Sequence, residues 1–331
     1  MTWWQALILG IIEGVTEYLP ISSTGHLILA SWLLGLDADR ESREAVNTFN
    51  ILIQSGAILA VLTLYRTRVM QMARGLAGKD SVGLRLAINL CIAFLPAAVL
   101  GPLLAERIDN HLFAPWPVVG ALFVGAWLML AVAFSRRLNR TEHSGRDLDH
   151  ITWQIALLIG FGQCIAMWPG TSRSMMTIVA AIILGLSPRA AAEFSFLLGL
   201  ITLTAATSYK GVFNGAEMLE RIPWLPLTVG FIAATASAMI AIKWFIGILV
   251  NKGMAPFGWY RLVLATVLAI CLLAGELGLE KNLDDIGAGS RLQRLDTIGE
   301  FDATTDKTKH IHTPGIQGHQ RFGKWTAATA H

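Results

Sequence analysis

Long apolar blocks set the pattern of this chain. They run at approximately 3–34, 47–65, 84–104, 114–135, 151–185, 192–209, 223–245 and 259–279. Most have the roughly 18–27 residues of a helix that crosses a bilayer. Two of them, 3–34 and 151–185, are too long for one crossing and are interrupted by Pro20 and by Pro169-Gly170. Each is therefore predicted to form two short helices in a re-entrant hairpin. Non-helical backbone at that depth is tolerated only where protein or a watery cavity satisfies it. The expected fold is an all-α polytopic membrane protein.

Composition agrees. Of 331 residues, 54% are hydrophobic and only 15% charged, and the mean hydropathy is +0.54. A soluble chain of this size carries about 25% charged residues. The N-terminus lacks a basic region and a small-residue cleavage site, so no cleavable signal peptide is expected. Cys91, Cys164 and Cys271 all lie inside apolar blocks and read as small core hydrophobes. A net charge of +3 gives no argument for nucleic acid. Trp3, Trp4, Trp116, Trp224 and Trp259 stand near block ends, where interfacial anchors belong.

Charge sets an orientation. The 66–85 connection holds Arg66, Arg68, Arg74, Lys79 and Arg85 against Asp80, and the 136–150 connection holds Arg136, Arg137, Arg140 and Arg146. Lys243 and Lys252 flank the last connection. If both long blocks re-enter, these basic stretches fall on one side, which the positive-inside rule makes cytoplasmic. Both termini then lie outside.

A weak internal repeat fits this layout. Gly10-x-x-Glu13 matches Gly160-x-x-Gln163 and, after a one-residue gap, Pro20-x-Ser22-Ser23 matches Pro169-x-Thr171-Ser172. FNILI at 49–53 resembles FSFLL at 194–198. Each half, about 3–135 and 151–279, reads as a re-entrant helical hairpin followed by three transmembrane helices. Three is odd, so the halves have inverted topology, and the two breaks are expected to meet near the midplane. Residues 1–279 then form a single membrane domain. Residues 280–331 are polar and without periodicity, and are expected to be disordered. The tail's His310, His312, His319 and His331 fit no standard metal spacing.

The chemistry concentrates in the breaks. The stretch Gly10–Leu34 carries Glu13, Glu17 and His26 but no Lys or Arg. Ionisable groups at membrane depth cost about 2.5–3.5 kcal/mol each on the lenient insertion scale, which points to function. Glu13 and Glu17 share one helix face at about 5–6 Å between Cβ atoms. Their repulsion is relieved by a shared proton, a cationic partner or a divalent metal, and oxygen ligands of this kind suit Mg²⁺ or Ca²⁺. In Pro20-Ile-Ser22-Ser23-Thr24-Gly25-His26, Ser22 or Ser23 is a natural N-cap, leaving N–H groups free to face an anion. The same logic applies to Pro169-Gly170-Thr171-Ser172-Arg173-Ser174, where Arg173 adds a donor fork suited to phosphate. For the hydroxyls alone, helix capping is the simpler reading. Hydroxyls together with Arg173, two acids and His26 favour a phosphate site.

EGVTEYLPISSTGH and PGTSRSMM resemble the two signature motifs of the undecaprenyl-diphosphate phosphatase family, also known as bacitracin-resistance proteins. FNILIQSGAILAV resembles a third recurring stretch, and the similarity covers about residues 3–279. The resemblance implies a multi-pass enzyme of the bacterial cytoplasmic membrane. It would hydrolyse a polyprenyl diphosphate to the monophosphate carrier and inorganic phosphate with help from Mg²⁺ or Ca²⁺, recycling the carrier for cell-wall synthesis. The family's acidic pair falls on Glu13 and Glu17, its serine on Ser23, its histidine on His26 and its arginine on Arg173.

On this reading Ser23 is the candidate nucleophile with His26 or Glu17 as base, while a metal-activated water or His26 itself stays open as attacker. Arg173 and the helix N-termini stabilise charge, Glu13 and Glu17 hold the metal, and Ser22, Thr24, Gly25, Thr171, Ser172 and Ser174 bind the diphosphate. The partners are the lipid substrate and surrounding lipids; homo-oligomerisation is left open. The site is expected to face the periplasm, the side from which the first hairpin enters. The rival class is a secondary transporter of an anionic solute or lipid carrier, since inverted repeats with half-helix N-termini serve transporters too.

Overall fold

The computed structural model describes residues 1–36, 40–112, 114–138, 145–220 and 223–275. In chain order the helices are α1 (Trp3–Thr16), α2 (Ser23–Leu33), α3 (Arg40–Leu64), α4 (Arg66–Leu76), α5 (Ser81–His111) and α6 (Pro115–Leu138). After a short 3₁₀ turn (Leu148–His150) come α7 (Trp153–Ile165), α8 (Arg173–Ile183), α9 (Pro188–Glu220) and α10 (Trp224–Lys252). A final helix, α11, runs from Ala255 to Gly275. Among the described residues there is no strand, only one isolated bridge between Arg146 and Leu186. The tail expected to be disordered lies outside the described residues.

Six helices, α3, α5, α6, α9, α10 and α11, contain stretches long and apolar enough to cross a membrane. The chain is an all-α polytopic membrane protein. The two long apolar blocks do break in the middle. Their pieces α1, α2, α7 and α8 have 14, 11, 13 and 11 residues, or roughly 16–21 Å at about 1.5 Å per residue. None reaches across a hydrocarbon core of about 30 Å.

The pieces match in position. α7 begins 150 residues after α1, and α8 begins 150 residues after α2. Among the described residues only Ser22 and Ser172 are non-glycine residues with positive φ, at 73° and 71°. Both are N-caps, the Ser22 hydroxyl accepting from the Gly25 amide and the Ser172 hydroxyl from that of Met175. The conformations thus pair Ser22 with Ser172, and the one-residue gap that sequence matching required is unnecessary. Proline positions misled that matching, because proline can sit at more than one place in such a turn. In the ungapped register Ser23 stands opposite Arg173, each the first residue of its helix.

Small residues bring the helices together. Gly10 and Gly14 of α1 lie directly against α10: a Cβ on Gly10 would overlap the Gly230 main chain, and one on Gly14 would overlap Ala234 and Ser237. In the second half, Gly160 of α7 abuts the Ala93 main chain of α5 in the same way. Without a hydrophobic force between helices in lipid, such backbone approach is the main source of association. A buried core including Tyr18, Leu19, Phe194, Phe196, Leu197 and Phe245 packs around the first break and α9.

Helix α4 was not expected, because the 66–85 stretch reads as a basic loop. It is amphipathic. Val69 and Met72 pack on the core, while Arg68 reaches two other segments, its Nε donating to Glu193 at 2.8 Å and its Nη1 to Asp149 at 3.2 Å. The basic connections before α5 and before α7 therefore meet at one end of the bundle. Residues 1–266 form one compact unit; residues 267–275 belong to a second, whose next residues lie outside the described set.

Replacing Gly14 by Val should wedge α1 from α10. Overpacking of this kind costs about 1–3 kcal/mol, so the thermal midpoint of the detergent-solubilised protein is expected to fall by several degrees. An unchanged midpoint would show that the close approach is not needed.

Candidate active site

The two breaks face each other. Glu17, just beyond α1, donates its N–H to the Glu13 carbonyl and so keeps the helical path for one more residue. That turn aims its carboxylate at both helices that begin after the breaks. Oε1 accepts from Arg173 Nη2 at 2.8 Å, and Oε2 accepts from the Ser23 hydroxyl at 2.8 Å. Acid, hydroxyl and guanidinium thus form one chain across two segments 156 residues apart. Glu13, Glu17 and Arg173 are all buried. Of the three ways to relieve the acid pair, the fold supplies a cationic partner, Arg173, for Glu17.

Arg173 is held by shape as well as by charge. Its guanidinium carbon lies 5.7 Å from the centre of the Tyr18 ring, within cation–π range. Gly199 of α9 leaves the room: a Cβ there would overlap Nη1. Nε and Nη1 are buried and make no hydrogen bond among the described residues. An arginine with spare buried donors is costly unless something else receives them.

A cleft opens between the breaks, lined by Glu17, Ser22, Ser23 and Thr24 on one side and by Ala166, Gly170, Ser172 and Arg173 on the other. Two helix N-termini, α2 and α8, flank it. A helix N-terminus directs first-turn N–H groups and a partial positive charge outward, the standard equipment for binding an anion.

The remaining candidates are placed differently. Thr171 donates to the Trp168 carbonyl at 2.6 Å and Ser174 to the Leu19 carbonyl at 2.8 Å. Both hydroxyls fasten the turns, and neither residue lines the cleft; nor does Gly25, whose amide donates to the Ser22 cap. His26 sits on α2, one turn after Ser22. Its Nδ1 is 2.7 Å from the Ser22 carbonyl, which can only accept, so Nδ1 carries a proton. Its Nε2 is 2.7 Å from the Tyr260 hydroxyl. The Ser23 hydroxyl is therefore joined to Glu17, and both ring nitrogens of His26 are engaged elsewhere. Among the described residues no group of three or more His, Cys, Asp and Glu side chains could hold a metal.

Sequence reading missed Arg261, which is completely buried in α11. It donates to the carbonyls of Pro20 (3.4 Å), Gly170 (2.9 Å), Thr171 (3.2 Å) and Ala121 (3.2 Å). Its position beside Trp259 at a block end suggests an interfacial anchor. The signal available was the one that marked Arg173, an ionisable group inside an apolar block.

With this geometry in hand, comparison with known proteins is decisive about ancestry. Residues 6–267 match the family model described as bacitracin resistance protein BacA. The chain belongs to the bacitracin resistance protein BacA family. Among its curated relatives, the undecaprenyl-diphosphatase of Sorangium cellulosum is 47% identical over 268 residues, covering 81% of this chain and 85% of the relative. That of Nitrosomonas europaea is 43% identical, covering 82% and 95%, and that of Pseudomonas aeruginosa PAO1 is 42% identical, covering 80% and 95%. The BacA match takes in both breaks and Arg261.

Gly199→Leu should push Arg173 off Glu17 without altering any polar group of the cleft. Hydrolysis is expected to fall by about 100-fold, as when a catalytic group is displaced by about 1 Å. Activity within a factor of three of the parent would mean that Arg173 does not depend on that space.

Proposed function

We propose that this chain hydrolyses undecaprenyl diphosphate to undecaprenyl phosphate and inorganic phosphate, recycling the lipid carrier for cell-wall synthesis and so conferring bacitracin resistance. Family membership and the relatives' names support the reaction class. The observation that carries the chemistry is the Ser23–Glu17–Arg173 chain, with two 2.8 Å hydrogen bonds in a cleft that has two helix N-termini.

The terminal phosphate enters between α2 and α8. The Arg173 guanidinium, which lines the cleft and has donors to spare, takes its non-bridging oxygens together with the N-terminal amides and stabilises the charge that builds there. The Ser23 oxygen attacks phosphorus as its proton passes to Glu17 Oε2. The bond to the bridging oxygen breaks, and undecaprenyl phosphate leaves with that oxygen. Water then cleaves the phosphoserine, returning the Ser23 hydroxyl and releasing inorganic phosphate. Glu17 suits the role of base because it already holds the hydroxyl proton in line. His26 orients the first turn of α2 through Ser22 and Tyr260.

The residues that would hold a divalent cation are Glu13 and Glu17, too few for a closed protein cage, so an ion there would keep waters and share phosphate oxygens. Glu13 does not line the cleft and both Glu17 oxygens already accept hydrogen bonds, so holding the ion would require Glu17 to release one of them. Bound there, Mg²⁺ or Ca²⁺ would neutralise diphosphate charge. The polyprenyl tail lies among apolar helices in the surrounding lipid.

The two halves are read as inverted repeats of one membrane domain spanning 1–279. The matched breaks and the equivalent α1–α10 and α7–α5 packing support this reading. The chain is placed in the bacterial cytoplasmic membrane with the cleft toward the periplasm. The meeting of two basic connections through Arg68 and Asp149 supports that orientation. An anion transporter would have no use for a serine hydroxyl hydrogen-bonded to a buried acid.

The test is phosphate release from a long-chain polyprenyl diphosphate by detergent-purified protein. Ser23→Ala, Glu17→Gln and Arg173→Ala should each lower turnover at least ~100-fold. Parent-like turnover in any variant removes that residue from the mechanism. Excess EDTA should abolish release and Mg²⁺ or Ca²⁺ should restore it. Release indifferent to EDTA would reassign Glu13 to proton transfer, and no release from folded protein would return the transporter reading.

A further inference from the structure

Arg261 has no place in the reaction just described, yet it is the residue that touches both halves of the cleft from behind. Its Nη1 donates to the Pro20 and Thr171 carbonyls at 3.4 and 3.2 Å, and its Nη2 to the Gly170 and Ala121 carbonyls at 2.9 and 3.2 Å. Those four oxygens come from three segments: the first break, the second break and α6. Pro20 lies two residues before the Ser22 cap, and Gly170 and Thr171 immediately precede the Ser172 cap. α6 makes room for the guanidinium at Gly125, where a Cβ would overlap Nη2.

We infer that Arg261 is a positioning residue for phosphate, clamping the two breaks so that the N-termini of α2 and α8 converge on one oxyanion. This rests on the phosphatase reading of the cleft and extends it to a residue that touches no substrate. The physical reason is the orphan carbonyls. The strained Ser22 and Ser172 turns leave carbonyl oxygens without helical partners inside an apolar bundle, where an unsatisfied acceptor is expensive. One rigid planar fork satisfies oxygens of both turns at once and thereby fixes the distance between them. Its charge also lies behind both helix N-termini and adds to their attraction for an anion. A lysine would keep the charge but, as a single ammonium with three donors, could not span the set.

The experiment uses the full-length chain in detergent and reads kcat, KM for a polyprenyl diphosphate, and the inhibition constant of inorganic phosphate. Parent, Arg173→Ala, Arg261→Lys and Gly125→Ala are compared, with folding checked by circular dichroism and size exclusion. In folded Arg261→Lys, the phosphate inhibition constant should rise about tenfold and kcat fall about 100-fold, while KM, governed by the lipid chain, changes less than about threefold. Gly125→Ala pushes the same guanidinium from the α6 side and should shift both quantities in the same direction by less. A folded Arg261→Lys with the parent's kcat and phosphate inhibition overturns the inference. If that variant does not fold, a folded Gly125→Ala with parental values overturns it equally. Should phosphate inhibit the parent and Arg173→Ala alike, the phosphate reading of the cleft itself falls, and this inference with it. Loss of inhibition in Arg173→Ala alone would leave that reading standing and refute only the role of Arg261.

Discussion

A carboxylate and a guanidinium buried together in an apolar bundle are the constraint on which this protein depends. Glu17 and Arg173 meet at 2.8 Å with almost no solvent on either side chain. Neither charge could be tolerated there alone: removing one partner from a buried pair costs about 3–5 kcal/mol, because the other is left uncompensated. The pair therefore ties the first break to the second, although they are far apart in the chain. Because Glu17 has a second oxygen, the same constraint fixes the Ser23 hydroxyl. Because Arg173 has further donors, it leaves buried N–H groups without a partner among the described residues, on a side chain that lines the cleft. Stability and chemistry draw on the same two side chains.

The architecture around the pair consists largely of space made for it. Gly199 admits one arginine and Gly125 the other. Gly10, Gly14 and Gly160 let α1 and α7 approach α10 and α5 closely. In each case a missing methyl group permits a backbone or guanidinium to approach closely, and at Gly125 it lets Arg261 satisfy main-chain carbonyls without water.

Much of this was legible in the sequence. Apolar block lengths gave the six crossing helices, and Pro20 and Pro169-Gly170 gave the two breaks. Glu13, Glu17 and Arg173 stood out because charge in an apolar block is expensive. What could not be read was direction. Nothing local says that the Ser23 hydroxyl turns to Glu17, or that His26 turns to Ser22 and Tyr260; those are decisions of tertiary packing. Arg261 escaped because it stands near the start of an apolar block, beside Trp259 and away from either break in sequence. Helix α4 escaped because a search for long apolar runs is blind to a short helix with a single apolar face. The repeat register was off by one because proline was matched to proline, whereas the equivalence lies in the backbone of Ser22 and Ser172.

The matched conformations of Ser22 and Ser172 have a consequence for the symmetry of the centre. Ser23 and Arg173 occupy the same place, the first residue after a strained serine cap. A symmetric pairing of two identical half-length chains would have put one residue type at both places, giving two hydroxyls or two cations but never one of each. A single polypeptide can place different residues at the two matched positions, here a hydroxyl and a guanidinium. The asymmetry of this centre, a hydroxyl at one matched position and a cation at the other, is one that a homodimer of identical halves could not present.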